Sequence, residues 1–308
     1  MIVTVTPNPS IDRTLEIDRL ERGALVRARR ATSEAAGKGV NVSCALAVQK
    51  VATVAVLPLP EDSAATYLRL LGDATPIAAV PIAGSIRTNV SVIETDGTLT
   101  KLNEPGPEVT SEEVDAIVAT ASGVADATWI VGCGSLPPGA PVDFYARLAA
   151  RASSGTRIAI DTSGEALGAA VCAGVTLVKP NLDELQALAG RPIATLGEAV
   201  DAAREVIARG CRSVLVSLGP DGALFVDANG ASHAEARVDR VVNTVGAGDA
   251  LLAGFLAAGG GAAALGEAVA WSVAAIRSPG TRMRAVTAAD RAPVTLNERI
   301  DPARRLRS

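Results

Sequence analysis

What most constrains this chain is an alternation in its second half, where short runs of Val, Ile and Leu recur between Ala-rich segments of helical spacing. The run 129–133 precedes a helix over about 141–152, and the run 157–161 precedes one over about 165–172. The run 176–178 leads to a helix starting near Asn181, and a helix over 196–209 feeds the run 213–218. Strands apolar on both faces and joined by helices predict a mainly parallel sheet covered on both sides. The fold class is therefore α/β, in three layers.

Two stretches break that rhythm. In 85–94, Arg87, Asn89 and Ser91 fall on one face of a strand and Thr88, Val90 and Val92 on the other, and Asp96-Gly97 turns the chain into 98–103. Residues 13–17 and 27–33 are similarly extended around Gly23. These predict a small four-stranded sheet with one polar face, a discontinuous β lid formed by about 12–34 and 85–104. No repeat or long linker interrupts the chain, so residues 1–308 are read as one domain carrying that lid.

Composition narrows the functional classes. Lys and Arg total 29 against 33 Asp and Glu, a net charge of -4, and aromatics are 2% of the chain. Neither a field for polyanions nor a stacking platform for bases is present, so no nucleic acid and no membrane partner is expected. Cys44, Cys133, Cys172 and Cys211 form no CxxC pair and are read as buried apolar residues of a reduced, cytoplasmic protein. His233 is the only histidine and is expected on a hairpin surface; one histidine supports neither a catalytic triad nor a zinc cluster.

The strongest chemical signal is Thr244-Val245-Gly246-Ala247-Gly248-Asp249, followed by an apolar helical segment. Gly246 and Gly248 permit a tight turn into a helix whose unpaired N–H groups favour an anion. Asp249 is either a cap of a core helix or a base taking the proton of a hydroxyl that attacks a phosphate there. Gly37-Lys38-Gly39-Val40-Asn41 also opens a helix. It lacks the Walker A spacer and the following Ser or Thr, so it is either a pocket for a phosphate or sugar hydroxyls, or an ordinary turn. Asp12 is a candidate for a hydroxyl pair. Asn181 and Glu184 have the spacing of a capping box, and the same spacing aims an amide and a carboxylate at Mg²⁺-bound phosphates. Ser217-Leu218-Gly219, before the turn Pro220-Asp221-Gly222, ends a strand where α/β proteins bind ligands. Ser135 lies in the loop 132–139.

Together these residues resemble the ribokinase-like (PfkB) family of sugar kinases. The resemblance rests on TPNPSIDRT (6–14), GKGVNV (37–42), RTN (87–89), NEPGP (103–107), GSLPPG (134–139), DTSG (161–164), KPNLDEL (179–185), VSLGPDGA (216–223), TVGAGDA (244–250) and PGT (279–281). It implies phosphoryl transfer from ATP, with Mg²⁺, to a ketohexose phosphate. Fructose 1-phosphate is the leading substrate, and tagatose 6-phosphate and fructose 6-phosphate are alternatives. A non-catalytic sugar-phosphate sensor would use the same pocket, but the base Asp249 is retained.

By that similarity Asp249 is the catalytic base, and the backbone at Gly246, Ala247 and Gly248 forms the anion hole. Asp12, Gly37, Lys38, Gly39, Asn41, Asn89 and Ser135 belong to the sugar site, where Arg87 with Lys38 reads the substrate's phosphate. Lys179, Asn181, Glu184, Ser217, Gly219, Gly222 and Thr244 belong to the nucleotide side, with Glu184 reaching the metal through water. The family's lid commonly pairs subunits, so a homodimer is expected. Ala36 stands where the family usually has Gly, and Pro60-Glu61 where relatives often have Gly-Gly.

Overall fold

The computed structural model describes residues 1–73, 75–280, 282–297 and 299–307. In chain order, β1 (Ile2–Val5) opens the body, and β2 (Ser10–Glu16) and β3 (Arg30–Ala36) leave it. The chain returns through α1 (Lys38–Val48), β4 (Thr53–Pro60), α2 (Glu61–Leu71) and β5 (Ile77–Ile82), then leaves again in β6 (Arg87–Ile93) and β7 (Leu99–Asn103). There follow α3 (Ser111–Ser122), β8 (Trp129–Cys133), α4 (Phe144–Arg151), β9 (Arg157–Asp161), α5 (Gly164–Cys172), β10 (Leu177–Val178), α6 (Leu182–Ala189), α7 (Leu196–Ala208) and β11 (Val214–Ser217). The last elements are β12 (Ala223–Asp227), β13 (Gly230–Ala236), α8 (Ala247–Ala257), α9 (Leu265–Ile276), α10 (Ala288–Arg291) and β14 (Val294–Asn297).

The large sheet has the order β14-β13-β12-β11-β10-β9-β8-β1-β4-β5. From β5 to β11 every neighbour is parallel, and from β11 to β14 the pairing is antiparallel. Alternation along each strand sorts side chains to two cores. Val3, Val5, Ile130, Ile158, Ile160, Val214 and Val216 face one core with residues of α3, α4, α5 and α7. Ile2, Trp129, Val131, Ala159 and Leu215 face the other with α1, α8 and α9. Burying both faces is what the unbroken apolar strands require. The expected helix at 141–152 starts later, at Phe144, because Pro141 leads a turn in which Phe144 N–H donates to Pro141 O at 2.9 Å.

The lid is a separate sheet of order β3-β2-β6-β7, the four strands expected, with bounds two residues wider at each end of its first part. β2 and β6 run parallel in the register Ser10↔Arg87 and Asp12↔Asn89, so polar residues of both strands share one face. Two readings are corrected. His233 is buried on β13, where Nε2 lies 2.7 Å from Asp221 O, because β13 is an internal strand of the sheet and not a surface hairpin arm. Cys172 is exposed at the end of α5 and Cys44 is half-buried, so only Cys133 and Cys211 are the buried apolar residues expected.

Candidate active site

Parallel strands deliver their C-terminal ends to one edge of the sheet, and the chemistry gathers there. β9 ends at Asp161, β10 is followed by Lys179, and β11 ends at Ser217. β1 lies between β4 and β8, so the chain diverges on either side of it, and Thr6 and Asn8 follow it at the crevice. Thr6 Oγ1 accepts the Val40 N–H at 3.1 Å and ties the start of α1 to β1. Gly37 caps α1 at φ 143°, and a Cβ there would lie 2.7 Å from Thr6 Cγ2; one on Gly39 would lie 2.5 Å from Thr6 Oγ1. The glycines let α1 approach β1 closely and place Lys38 and Asn41 in the site.

Asp161 is the centre of the ionic network. Its carboxylate is fully buried, with Lys38 Nζ 2.8 Å from Oδ1 and Lys179 Nζ 2.9 Å from Oδ2. Burial opposes its charge, yet the two lysines hold its pKa below the ordinary aspartate value. Burial likewise opposes the Lys38 charge, and Asp161, with Asp249 and Glu184 adding, holds that pKa above the lysine range. Sequence reasoning assigned Asp161 no role; its place at the end of a parallel strand, the same signal that marked Ser217, was the clue available.

Asp249 lies in the first turn of α8, whose N-cap Gly246 is left-handed at φ 79°. The helical ladder begins with Ala250 N–H to Gly246 O at 2.9 Å, so the Gly248 and Asp249 N–H groups precede it. The Ala247 N–H makes a long bond, 3.3 Å, to Thr244 O. A Cβ on Gly248 would sit 3.6 Å from Lys179 Nζ, so an ammonium flanks the helix N-terminus. The Asp249 carboxylate is buried and accepts a hydrogen bond from Asn41 Nδ2 at 2.8 Å. Burial, reinforced by Asp161, pushes its pKa up to about 6, while Asn41 and the lysines act against the rise. A carboxyl poised there suits a general base near neutral pH.

On the lid, Asp12 Oδ1 accepts from Ser10 Oγ at 2.8 Å and from Asn89 Nδ2 at 3.0 Å. Burial lowers the Arg87 pKa from its ordinary value, with Asp12 opposing, and Arg87 Nη1 donates to Glu104 O at 3.3 Å. Of the two cations expected to read a phosphate together, Lys38 pairs with Asp161 and Arg87 with the Glu104 carbonyl. Buried atoms without a hydrogen-bond partner include Asn8 Oδ1, Arg87 Nε and Asn89 Oδ1. Unpaired buried polar atoms are costly, and those of Asn89 and Arg87, near Asp12, suit a polar ligand. The 6–14 and 103–107 motifs meet here, Asn8 Nδ2 donating to Pro105 O at 2.9 Å. Ala36 sits in β3 opposite Ser10 and its carbonyl accepts the Tyr67 hydroxyl at 2.9 Å, so regular strand accommodates its methyl. Pro60 closes β4 and caps α2 with an extended backbone, φ -62°. Ser135 is exposed beyond the end of β8.

A cavity of about 1160 Å³ adjoins the α8 N-terminus. Of the expected nucleotide residues it brings together Asn181, Ser217, Gly219, Gly222 and Thr244, along with Ala247 and Gly248. Lys179 and Glu184 are outside its wall. Glu184 accepts the Asn181 N–H at 2.8 Å while Asn181 Oδ1 accepts the Glu184 N–H at 2.8 Å, so the capping box is formed. Asn243 Nδ2 donates to Gly280 O at 2.7 Å, anchoring the loop before α8 to the 279–281 motif; Thr281 of that motif lies outside the described residues. Among the described residues no group of three or more His, Cys, Asp or Glu is placed to hold a metal, and no helix is long and apolar enough to cross a membrane.

A mainly parallel α/β body with a separate four-stranded sheet, and a buried carboxylate at a helix N-terminus on the strands' C-terminal edge, is the architecture of ribokinase-type kinases. Residues 5–283 match the pfkB family of carbohydrate kinases, and the chain belongs to that family. It is 42% identical over 261 residues to a 1-phosphofructokinase of Haloferax volcanii, covering 84% of each chain. It is 35% identical over 259 residues to an ATP-dependent 6-phosphofructokinase isozyme 2 of Mycobacterium tuberculosis, covering 82% of this chain and 76% of that one. The crystal structure of phosphofructokinase-2 from Escherichia coli in complex with substrates and products superposes with a TM-score of 0.84 at 30% identity, over 94% of this chain and 97% of that one.

Proposed function

We propose that the chain transfers the terminal phosphoryl group of ATP to the 6-hydroxyl of fructose 1-phosphate, giving fructose 1,6-bisphosphate and ADP. The observation that carries the reading is the Asp249 carboxylate, buried at the α8 N-terminus, fixed by Asn41 and raised to about 6. Asp249 takes the hydroxyl proton as the oxygen attacks phosphorus. The Gly248 N–H and the adjacent Lys179 meet the charge that develops on the transferring group. Asp161 holds Lys38 and Lys179 in place, so the cations are organised before substrate arrives.

ATP lies in the 1160 Å³ cavity with its phosphates toward Ala247 and Gly248. Mg²⁺ fits this donor set only as an ion bound mainly by the nucleotide. Among the described residues no carboxylates cluster to hold a metal by themselves, and Glu184, with one oxygen committed to its cap, reaches the ion through water. When bound, the ion neutralises phosphate charge. Asp12, Asn89, Gly37, Gly39 and Asn41 hold the sugar, Ser135 borders it, and Arg87 meets its phosphate with a planar fork. The relation to both 1- and 6-phosphofructokinases supports a second reading with fructose 6-phosphate or tagatose 6-phosphate as acceptor. Coupled ADP release measured across fructose 1-phosphate, fructose 6-phosphate, tagatose 6-phosphate, fructose and ribose decides: the highest kcat/KM is expected with fructose 1-phosphate. A preference for free fructose or ribose would reject a phosphosugar site altogether.

A further inference from the structure

Beyond residues 5–283, where the family match ends, the chain turns back onto the nucleotide cavity. Three backbone hydrogen bonds stitch this tail to the start of α7: Gly197 N–H to Pro302 O at 3.1 Å, Leu196 N–H to Arg304 O at 2.9 Å, and Leu306 N–H to Ala194 O at 2.9 Å. Ile300 and Leu306 pack on the core. Thus fixed, the tail presents Arg304 and Arg307 to the cavity wall.

Both arginines converge on acids at that side of the cavity, Glu235 in its wall and Asp221 buried in the turn behind Pro220 and Gly222. Arg304 forks onto Glu235, Nη1 to Oε1 at 2.9 Å and Nη2 to Oε2 at 2.7 Å, and Nη2 also lies 3.3 Å from Asp221 Oδ1. Arg307 donates its backbone N–H to Asp221 Oδ2 at 2.6 Å and its Nε to Oδ1 at 3.0 Å, and a further guanidinium N–H donates to Pro220 O. Asp221 is only 2% exposed, whereas the Arg307 side chain is 62% exposed. Asp221 sits between Gly219 and Gly222, both at positive φ, in the turn that forms one side of the cavity. A Cβ on Gly222 would collide with the Ala234 carbonyl.

Two consequences follow from charge and geometry. Without the tail, Asp221 and Glu235 would place two unpaired carboxylates beside a cavity that receives a polyanion; with it, each carboxylate has a guanidinium. The left-handed turn is also clamped from outside by the same bonds. Because the phosphates belong at the Gly248 end, the nucleoside meets the end walled by Pro220, Gly222 and Glu235.

We propose that the C-terminal tail is a working wall of the nucleotide site, with Arg304 and Arg307 as positioning residues that shape and neutralise the Gly219–Gly222 side for an adenine nucleotide. This rests on the reading of the cavity as the ATP site. The test uses the full chain with Arg307→Ala and Arg307→Lys, a surface position whose replacement leaves intact the three backbone bonds that hold the tail to the start of α7. ADP binding is measured by calorimetry, and KM is measured for ATP and for fructose 1-phosphate. In Arg307→Ala the ADP Kd and the ATP KM are expected to rise about tenfold while the sugar-phosphate KM moves less than twofold; Arg307→Lys, which keeps the charge and loses the fork, is expected to fall between. Unchanged nucleotide constants in the folded variant, or an equal rise in both KM values, would overturn the proposal. Wild-type protein that binds no ADP would overturn the ATP reading as well.

Discussion

At the scale of single residues, Asp249 and Asp161 show how environment separates two carboxylates of the same site. Asp161 has two lysines and stays ionised; Asp249 has a neutral amide and is raised to about 6. Asp249→Asn is expected to lower kcat at least about 10²-fold, the scale of losing a positioned base, and near-normal turnover by the purified variant would remove Asp249 from that role. In the wild type, kcat/KM is expected to fall tenfold per pH unit below about 6, where the base is protonated. The same shift has a stability consequence. The folded state holds a proton on Asp249 between its ordinary pKa of 3.8 and about 6, so stability declines as pH rises through that window. At neutral pH the full cost is about 3 kcal/mol. Asparagine escapes it, so Asp249→Asn is expected to melt above the wild type at pH 7.5 and level with it below about pH 4. Equal melting temperatures at pH 7.5 would contradict the raised pKa.

At the scale of elements, the start of α6 and the lid strand β6 each carry a separable test. Gln in place of Glu184 still offers an oxygen to the Asn181 N–H, so the helix cap survives while the charge is lost. Glu184→Gln is therefore expected to raise the Mg²⁺ concentration needed for half-maximal rate with little change in the sugar-phosphate KM; the reverse pattern would detach Glu184 from the metal. On β6, Arg87→Ala is expected to raise the KM for fructose 1-phosphate roughly 10- to 100-fold, about 1.4 to 2.8 kcal/mol, with a smaller change for ATP. A variant that loses ATP affinity and keeps sugar-phosphate affinity would misplace this pocket. Periodicity made both elements legible in advance: the alternation at 85–94 and the capping spacing at 181–184 are local signals. The pairing of Lys38 with Asp161, 123 residues apart, has no local signal and emerges only when β9 and α1 meet at one sheet edge.

At the scale of the whole molecule, the α/β body was legible because unbroken apolar strands have few ways to bury both faces, and the four-stranded lid because its strands alternate. The burial of His233 and the walling of the cavity beside α8 by Arg304 and Arg307 were not, since they depend on β13 becoming an internal strand and on residues 300–307 crossing to α7. The same reasoning about exposed surface bears on assembly. Val92 is covered within the chain, at 6% exposure, so the lid's uncovered apolar surface is carried by other residues: Leu102 at 60%, Leu99 at 49% and Ile93 at 37%. Its outer strands β3 and β7 are unpaired edges of that sheet. Exposed edges with apolar side chains are generally covered in stable proteins, and a second lid related by a two-fold axis would cover them with the same surface. Light scattering at micromolar concentration is thus expected to give a homodimer, twice 31.1 kDa. Leu102→Glu, which sets like charges against each other across such an axis, is expected to shift it toward monomer and, on the proposed reading of the lid as the sugar side, to raise the sugar-phosphate KM more than the ATP KM. A wild-type monomer of 31.1 kDa with full activity at that concentration would rule the dimer out while leaving the lid's polar face as the sugar site.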